Sequence, residues 1–344
     1  MKYFLYLILI FSFSFSNQCD LNNDESQDII DIVIVVNSIL NEQETSCDLN
    51  GDDLINIIDV VQLIQLILYG MNIEFINIPN GQISNPLTNN IETIDYDFEI
   101  GKYEITNQQY LIYLNEAMTV NNIWIDDCLD NIGDMCVNGY YYFQGQYIEK
   151  SFFILGNPYD YMLKSYNFGI IIYNQSEFFI ENELYLDHPV VNVSWYGAND
   201  FAKFYNLRLP YYSEIIRSSR ANSNSGWPIT GVPYNTMYLA FNLLNSHFNV
   251  PEDFSYLWDD GTTPVGFYNV DNNLIDNSSQ FGVYDLIGNA NEWINDQVTY
   301  NDDIRFTTGG GWDCAYRNSR LKWHIKYTNG EPSWSSGFRV VKDN

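Results

Sequence analysis

Gly282-Val-Tyr-Asp-Leu-Ile-Gly-Asn-Ala-Asn-Glu-Trp293 is the stretch on which the fold turns. A Gly/Asn-rich turn lies between two aromatic anchors, with Asp285 and Glu292 seven residues apart. Gly282 and Gly288 permit tight backbone with positive φ that other residues resist. Such a turn can aim main-chain carbonyls inward, and two carboxylates beside them make an oxygen-rich pocket of the kind Ca²⁺ requires. In a chain this acidic, the alternative is a surface loop with incidental acids.

The chain has 344 residues, which suits one large domain plus a small one, and 46% of them are apolar, enough for a core. Its formal net charge of −29 argues against nucleic-acid backbones and anionic membranes as partners. The same charge suits calcium binding and solubility outside the cell. Tyr (28) and Phe (21) are so abundant that aromatic content alone does not mark a ligand groove.

Residues 1–16 read as a secretory signal. Lys2 supplies the positive start, Tyr3 to Phe13 the apolar stretch and Ser14-Phe-Ser16 the cleavage site. That run is too short to span a bilayer, and no second run of about twenty apolar residues follows. A secreted protein, extracellular or periplasmic and without a membrane span, is expected. Asn17 and Gln18 before Cys19 argue against a lipid anchor. Cys19 and Cys47 are equivalent in a repeat, and Cys128 and Cys136 bracket a short loop, so both pairs are disulfide candidates in an oxidising compartment. Cys314 is then an odd, free thiol.

Cys19-Asp-Leu-Asn-Asn-Asp24 is echoed twenty-eight residues later by Cys47-Asp-Leu-Asn-Gly-Asp52. Oxygen-bearing residues fall at relative positions 1, 3, 5, 9 and 12: Asp20, Asn22, Asp24, Asp28 and Asp31, then Asp48, Asn50, Asp52, Asn56 and Asp59. This is the ligand spacing of an EF-hand-type calcium loop. Each loop runs into an apolar helix, Ile32 to Leu40 and Val60 to Leu68. The arrangement resembles the dockerin type I repeat of secreted bacterial proteins, which implies Ca²⁺ and a cohesin-like partner. It departs from that pattern at Glu25 and Asp53, where Gly is usual, and at Ile29-Ile30 and Ile57-Ile58, where a polar pair is usual. Residues 17–70 thus form a small all-α module. Residues 71–344 form the larger domain.

In the larger domain, Thr106-Asn-Gln-Gln109 matches a capping box ahead of an apolar face of Tyr110, Leu111, Leu114 and Met118. Ser194 can cap a second helix, and a third is predicted from Tyr212 to Arg220. Residues 138–185 read as an inserted set of hairpins. Phe98-Glu-Ile-Gly-Lys-Tyr-Glu-Ile-Thr-Asn107, His188-Pro-Val-Val-Asn-Val-Ser-Trp195, Arg208-Leu-Pro210 with Glu214 and Arg220, Gly261-Thr-Thr-Pro-Val265, Gly282 to Trp293, Gly309-Gly-Gly-Trp312 and Gly337-Phe-Arg-Val-Val341 follow in order. This series resembles the formylglycine-generating enzyme, or sulfatase-modifying factor, family. The resemblance implies an α+β, C-type-lectin-like fold, low in regular secondary structure and braced by Ca²⁺.

Carried over, one calcium site draws on the side chains of Asp285 and Glu292 and the carbonyls of Gly288 and Ala290. A second draws on Asn242, the Leu243 carbonyl and Asp260. The family's oxidases use two thiols five residues apart that bind Cu(I). Here Cys314 takes the first place and Ser319 the second. A hydroxyl is hard and cannot replace thiolate at a soft ion, so copper is not expected. Cys314 is then either a remnant of the catalytic position or a buried thiol acting as a small apolar residue. His188 is assigned to packing or a turn. The resulting expectation is a calcium-stabilised binding or scaffold protein for a glycan or peptide, with Trp227, Trp312, Trp323 and Trp334 as candidate surface rings, their alternative being the core, the more frequent place of Trp. The alternative is a formylglycine-generating oxidase acting on sulfatase cysteines during export.

Overall fold

The computed structural model describes residues 19, 21–22, 29–41, 47, 54–69, 71–85, 90–129, 134–155, 171–180, 182–219, 261–297, 304–313, 326–328 and 330–343. The chain divides between Met71 and Asn72 into two compact units.

The first unit holds two helices, α1 (Ile29–Leu40) and α2 (Ile57–Tyr69). Val35, Val60 and Leu63 pack around the Cys19–Cys47 disulfide as its core. Both helices begin three residues earlier than the apolar pattern alone suggests, taking in Ile29-Ile30 and Ile57-Ile58. Asp31 and Asp59 therefore sit in first turns, where the helix dipole favours a carboxylate.

The second unit is mixed, with few helices. A three-stranded sheet joins β1 (Phe75–Ile78), β4 (Phe98–Gly101) and β14 (Val341–Asp343), so the two ends of this lobe share one antiparallel sheet. The strands β2 (Gly81–Ser84) and β3 (Ile91–Ile94) form a hairpin beside it. A four-stranded sheet runs in the order β12 (Lys326–Thr328), β11 (Arg305–Thr308), β10 (Asn291–Gln297) and β13 (Ser336–Gly337). The other strands are β5 (Ile123–Asp127), β6 (Met135–Phe143) and β7 (Gln146–Ile154), which form one sheet, and the hairpin β8 (Ile171–Tyr173) with β9 (Phe178–Ile180). The inserted sheet thus begins at Ile123, ahead of the hairpin pattern at 138, and the Cys128–Cys136 disulfide closes the turn between β5 and β6.

Helix α3 (Asn107–Thr119) starts with the full capping box. Thr106 Oγ1 accepts the Gln109 N–H, and the Gln109 side chain accepts the Thr106 N–H. Helix α4 (Trp195–Phe204) is capped by Ser194 Oγ, which accepts the Gly197 N–H at 3.0 Å. Among the described residues a further helix, α5, spans Tyr212–Ser219. Tyr110 and Tyr113 of α3 pack with each other, Phe153 and Phe201 at ring separations of 5.2 to 5.9 Å, and Phe338 lies 5.2 Å from Phe201. Each such buried ring contributes roughly 1.5–3 kcal/mol. Gly197 lets α4 close on β7, since a Cβ there would come within 2.4 Å of the Phe152 carbonyl oxygen.

Candidate functional site: a buried carboxylate cluster

The segment ahead of β10 is irregular, as its glycines require. Gly282 and Gly288 have φ of 90° and 84°, and Asp285 and Asn289 also adopt positive φ, 54° and 61°. This backbone turns Asp285, Asn289 and Glu292 into the interior, where each is about 1% exposed. Asp285 Oδ2 accepts the Gly266 N–H at 2.6 Å, and Oδ1 accepts the Asn277 amide at 2.8 Å. Glu292 is gripped by the fork of Arg339, with Nε donating to Oε2 at 2.7 Å and Nη2 to Oε1 at 2.5 Å. Arg339 also donates to the carbonyls of Gly101, Lys102 and Tyr284. A third carboxylate, Glu104, accepts the Ala290 N–H at 2.8 Å and the Asn289 amide at 2.7 Å.

Three buried carboxylates thus surround one guanidinium. Burial, then the negative charges of Asp285 and Glu292, push the Glu104 carboxyl well above its usual range. Burial also raises Asp285 and Glu292, with Arg339 opposing the rise in both. Glu104 and Arg339 were not singled out as site residues on sequence. Both stand inside the ordered motifs, in Lys-Tyr-Glu-Ile-Thr and Gly-Phe-Arg, and a buried Glu292 requires a counter-charge such as Arg339 supplies. Asp285 and Glu292, chosen as shared ligands of one ion, are each held by protein N–H donors. Among the described residues no three of His, Cys, Asp or Glu are grouped to hold a metal.

Other motifs interlock through side chains. Trp293 Nε1 donates to the Val193 carbonyl and Trp195 Nε1 to the Ile294 carbonyl, both at 2.9 Å. Arg208 forks Glu214 at 2.8 and 2.6 Å and also binds Asp343.

These ordered motifs match one family along most of the chain: residues 71–344 match the Sulfatase-modifying factor enzyme 1-like domain. The chain belongs to the sulfatase-modifying-factor family. Its sulfatase-modifying-factor domain is an α+β, C-type-lectin-like body. Residues 18–68 match the Dockerin type I domain. Serine/threonine-protein kinase Pkn1 of Chlamydia trachomatis serovar L2 is 27% identical over 177 residues, 46% of this chain and 25% of its own length. The corresponding kinase of Chlamydia caviae is 29% identical over 178 residues, 46% of this chain and 24% of its own. The chain therefore spans about a quarter of these curated relatives. Among solved structures, CarF superimposes with a TM-score of 0.45 at 17% identity, over 80% of this chain and 99% of CarF. PvdO from Pseudomonas aeruginosa superimposes with a TM-score of 0.49 at 16% identity, over 78% of this chain and 94% of PvdO.

Within the sulfatase-modifying-factor domain, Asn242, Leu243, Asp260, Cys314, Ser319, Trp227 and Trp323 lie outside the described residues, as do Asp20, Asp24, Asp28, Asp48, Asn50 and Asp52 in the dockerin module. Trp312 is buried, not a surface ring, while Trp334 is half exposed. In the dockerin module, Asp31 Oδ1 accepts the N–H of Leu21 at 2.7 Å and Asp59 Oδ2 that of Asn56 at 2.8 Å. Both carboxylates are fully buried. Carboxylate oxygens at these twelfth positions are hard donors of the kind Ca²⁺ takes, so the residues fit that ion.

His188 is buried against Thr262, with Nδ1 3.0 Å from Oγ1. Burial lowers its pKa to about 4, against a smaller opposing hydrogen bond to Thr262. The unfolded imidazole, near pH 6.5, takes up a proton first, so this group's contribution is lost as pH falls from about 6.5 toward about 4. At about pH 4.5 it is expected to remove about 2–3 kcal/mol. Urea unfolding of the wild type and of His188→Gln, at about pH 7 and pH 4.5, should show a smaller acid loss in the variant. Equal losses in both would remove His188 from the account.

Proposed function

We propose that this is an extracellular ligand-binding or scaffold protein and not a formylglycine-generating oxidase. The fate of the cysteines carries the reading. Of five, four are joined as Cys19–Cys47 and Cys128–Cys136. No second thiol is then left in the chain to pair with Cys314, and the matching place holds Ser319. A thiolate and a hydroxyl do not make a soft-ion site, so the residues do not fit Cu(I). The nearby turn is also packed for glycine. A Cβ on Gly311, where the family resemblance expects Ser, would lie 2.9 Å from Asn291 Nδ2 and 3.0 Å from the Ser335 carbonyl oxygen. Two disulfides and the signal-like residues 1–16 support export.

The dockerin module serves as the tether. Its loops would hold Ca²⁺ through Asp20, Asn22, Asp24, Asp28 and Asp31, and through Asp48, Asn50, Asp52, Asn56 and Asp59. Ile29 and Ile57 stand at matching places in the repeat and are 70% and 66% exposed. Ile30 with Ile58 and Val33 with Val61 repeat that match, also as exposed pairs. Two equivalent apolar faces suit a cohesin-like protein partner.

Incubating the protein with copper and a Cys-x-Pro-x-Arg peptide tests the oxidase question. The peptide mass is expected to stay unchanged. A loss of about 18 mass units, cysteine SH plus H exchanged for O, overturns the proposal.

A further inference from the structure

The sheet of β5, β6 and β7 has two aromatic faces with different surroundings. Alternation along the strands sends Tyr141 and Phe152 to one face and Trp124, Tyr140, Tyr142 and Tyr147 to the other. The first face packs on the body. Phe152 is buried over Gly139, where a Cβ would come within 2.3 Å of the ring. On that side the chain supplies its own cations to the rings. Lys150 Nζ lies 4.6 Å from the Tyr196 centroid and Lys203 Nζ 5.7 Å from that of Tyr141. The Arg305 guanidinium lies 4.2 Å from the Trp195 ring.

The outer face has the rings without the cations. Tyr140, Tyr142 and Tyr147 are 52%, 58% and 72% exposed. Their centroids form a continuous patch, 4.8 Å from Trp124 to Tyr140, 6.3 Å from Tyr140 to Tyr147 and 5.0 Å from Tyr147 to Tyr142. Glu149, opposite Tyr140 in the register, and Asp126, two residues beyond Trp124, are exposed on the same side. Among the described residues, no Lys or Arg lies over these four rings.

We propose that this face docks a lysine- and arginine-rich segment of a partner polypeptide. Aromatic ring faces attract ammonium and guanidinium groups. Glu149 and Asp126 accept hydrogen bonds and add charge of the sign such groups seek. The aliphatic stems of Lys and Arg cover exposed ring area while their heads stay wet. An anionic ligand meets nothing complementary here, and a net charge of −29 steers a basic partner inward. The inner side of the same sheet is the template, where Lys203 lies over Tyr141 of β6 and Lys150 of β7 lies over Tyr196 of α4. The inference rests on the ligand-binding reading of the lobe, but its test is separate.

Fluorescence anisotropy with a labelled peptide of repeating Lys-Gly-Arg-Gly, titrated with the full chain in calcium, reads the interaction. Saturable binding is expected, weakened about tenfold in Tyr142→Ser/Tyr147→Ser and within about threefold of wild type in Tyr142→Phe/Tyr147→Phe, which keeps the rings. Both side chains are more than half exposed, and an unchanged melting temperature confirms that the variants fold. An affinity unaltered by the serine pair overturns the proposal, because non-specific attraction to an acidic chain ignores rings. Equal losses in the serine and phenylalanine pairs also overturn it, as does a preference for chitosan, which would assign the face to an amino-sugar polymer. Absence of peptide binding overturns this proposal and leaves the non-oxidase reading intact, and formylglycine production with binding intact overturns only that reading.

Discussion

Arg339→Met is expected to destabilise the lobe by about 3–5 kcal/mol, the range for removing one partner of a buried ion pair. Arg339 is fully buried, and its fork is the counter-charge that Glu292 meets at 2.5 and 2.7 Å. Methionine fills similar space but leaves Glu292 beside Glu104 and Asp285 with no positive charge. It also strips donors from the carbonyls of Gly101, Lys102 and Tyr284, which tie β4 to the turn before β10. For a domain of this size the melting temperature should fall by about 10 °C. Arg339→Lys should be intermediate, since an ammonium keeps the charge but cannot fork a carboxylate. Thermal unfolding followed by circular dichroism checks both. A drop of only a degree or two in Arg339→Met would mean that the three carboxylates are neutralised by something other than this side chain.

Chelating calcium is expected to have an effect of similar size in the other unit. Metal bound only by the native module stabilises it by about 4 kcal/mol at a thousandfold excess over Kd. Asp31 and Asp59 are buried in first turns and accept backbone N–H groups, and an ion bound there adds carboxylate–metal bonds that a chelator removes. Differential scanning calorimetry with EDTA or calcium should show a module transition that calcium raises. Asp31→Asn and Asp59→Asn should blunt that shift. A module transition indifferent to calcium would remove the metal from the tether. The same scan tests the lobe. A rise in its own transition would report an ion in the lobe, and its loss in Asp285→Asn would place that ion with Asp285, Gly288, Ala290 and Glu292 and not with Asn242, Leu243 and Asp260.

Much of this was legible from short-range signals. The capping box at Thr106 and Gln109 formed because both hydrogen bonds lie within one turn. Gly282 and Gly288 took positive φ because a missing Cβ permits it wherever the turn sits. The irregular lobe was legible because seven ordered motifs are hard to meet by chance. Trp312 takes the core alternative, since a ring looks alike in core and on surface and only packing buries it. The tyrosine patch was missed for the converse reason: strand alternation places Tyr140 and Tyr142 on one face, but not whether that face is covered.

By itself the sequence determined the two modules, the calcium-loop spacing, the helix caps and the serine five residues after Cys314, since each depends on residue type at short spacing. Only the tertiary structure decided which protein donors meet Asp285 and Glu292. A carboxylate accepts an N–H as readily as a cation, and the donors arrive from Gly266, Asn277 and Arg339, brought together by chain closure. The tertiary structure likewise decided which rings remain bare, because exposure is set by what packs opposite them.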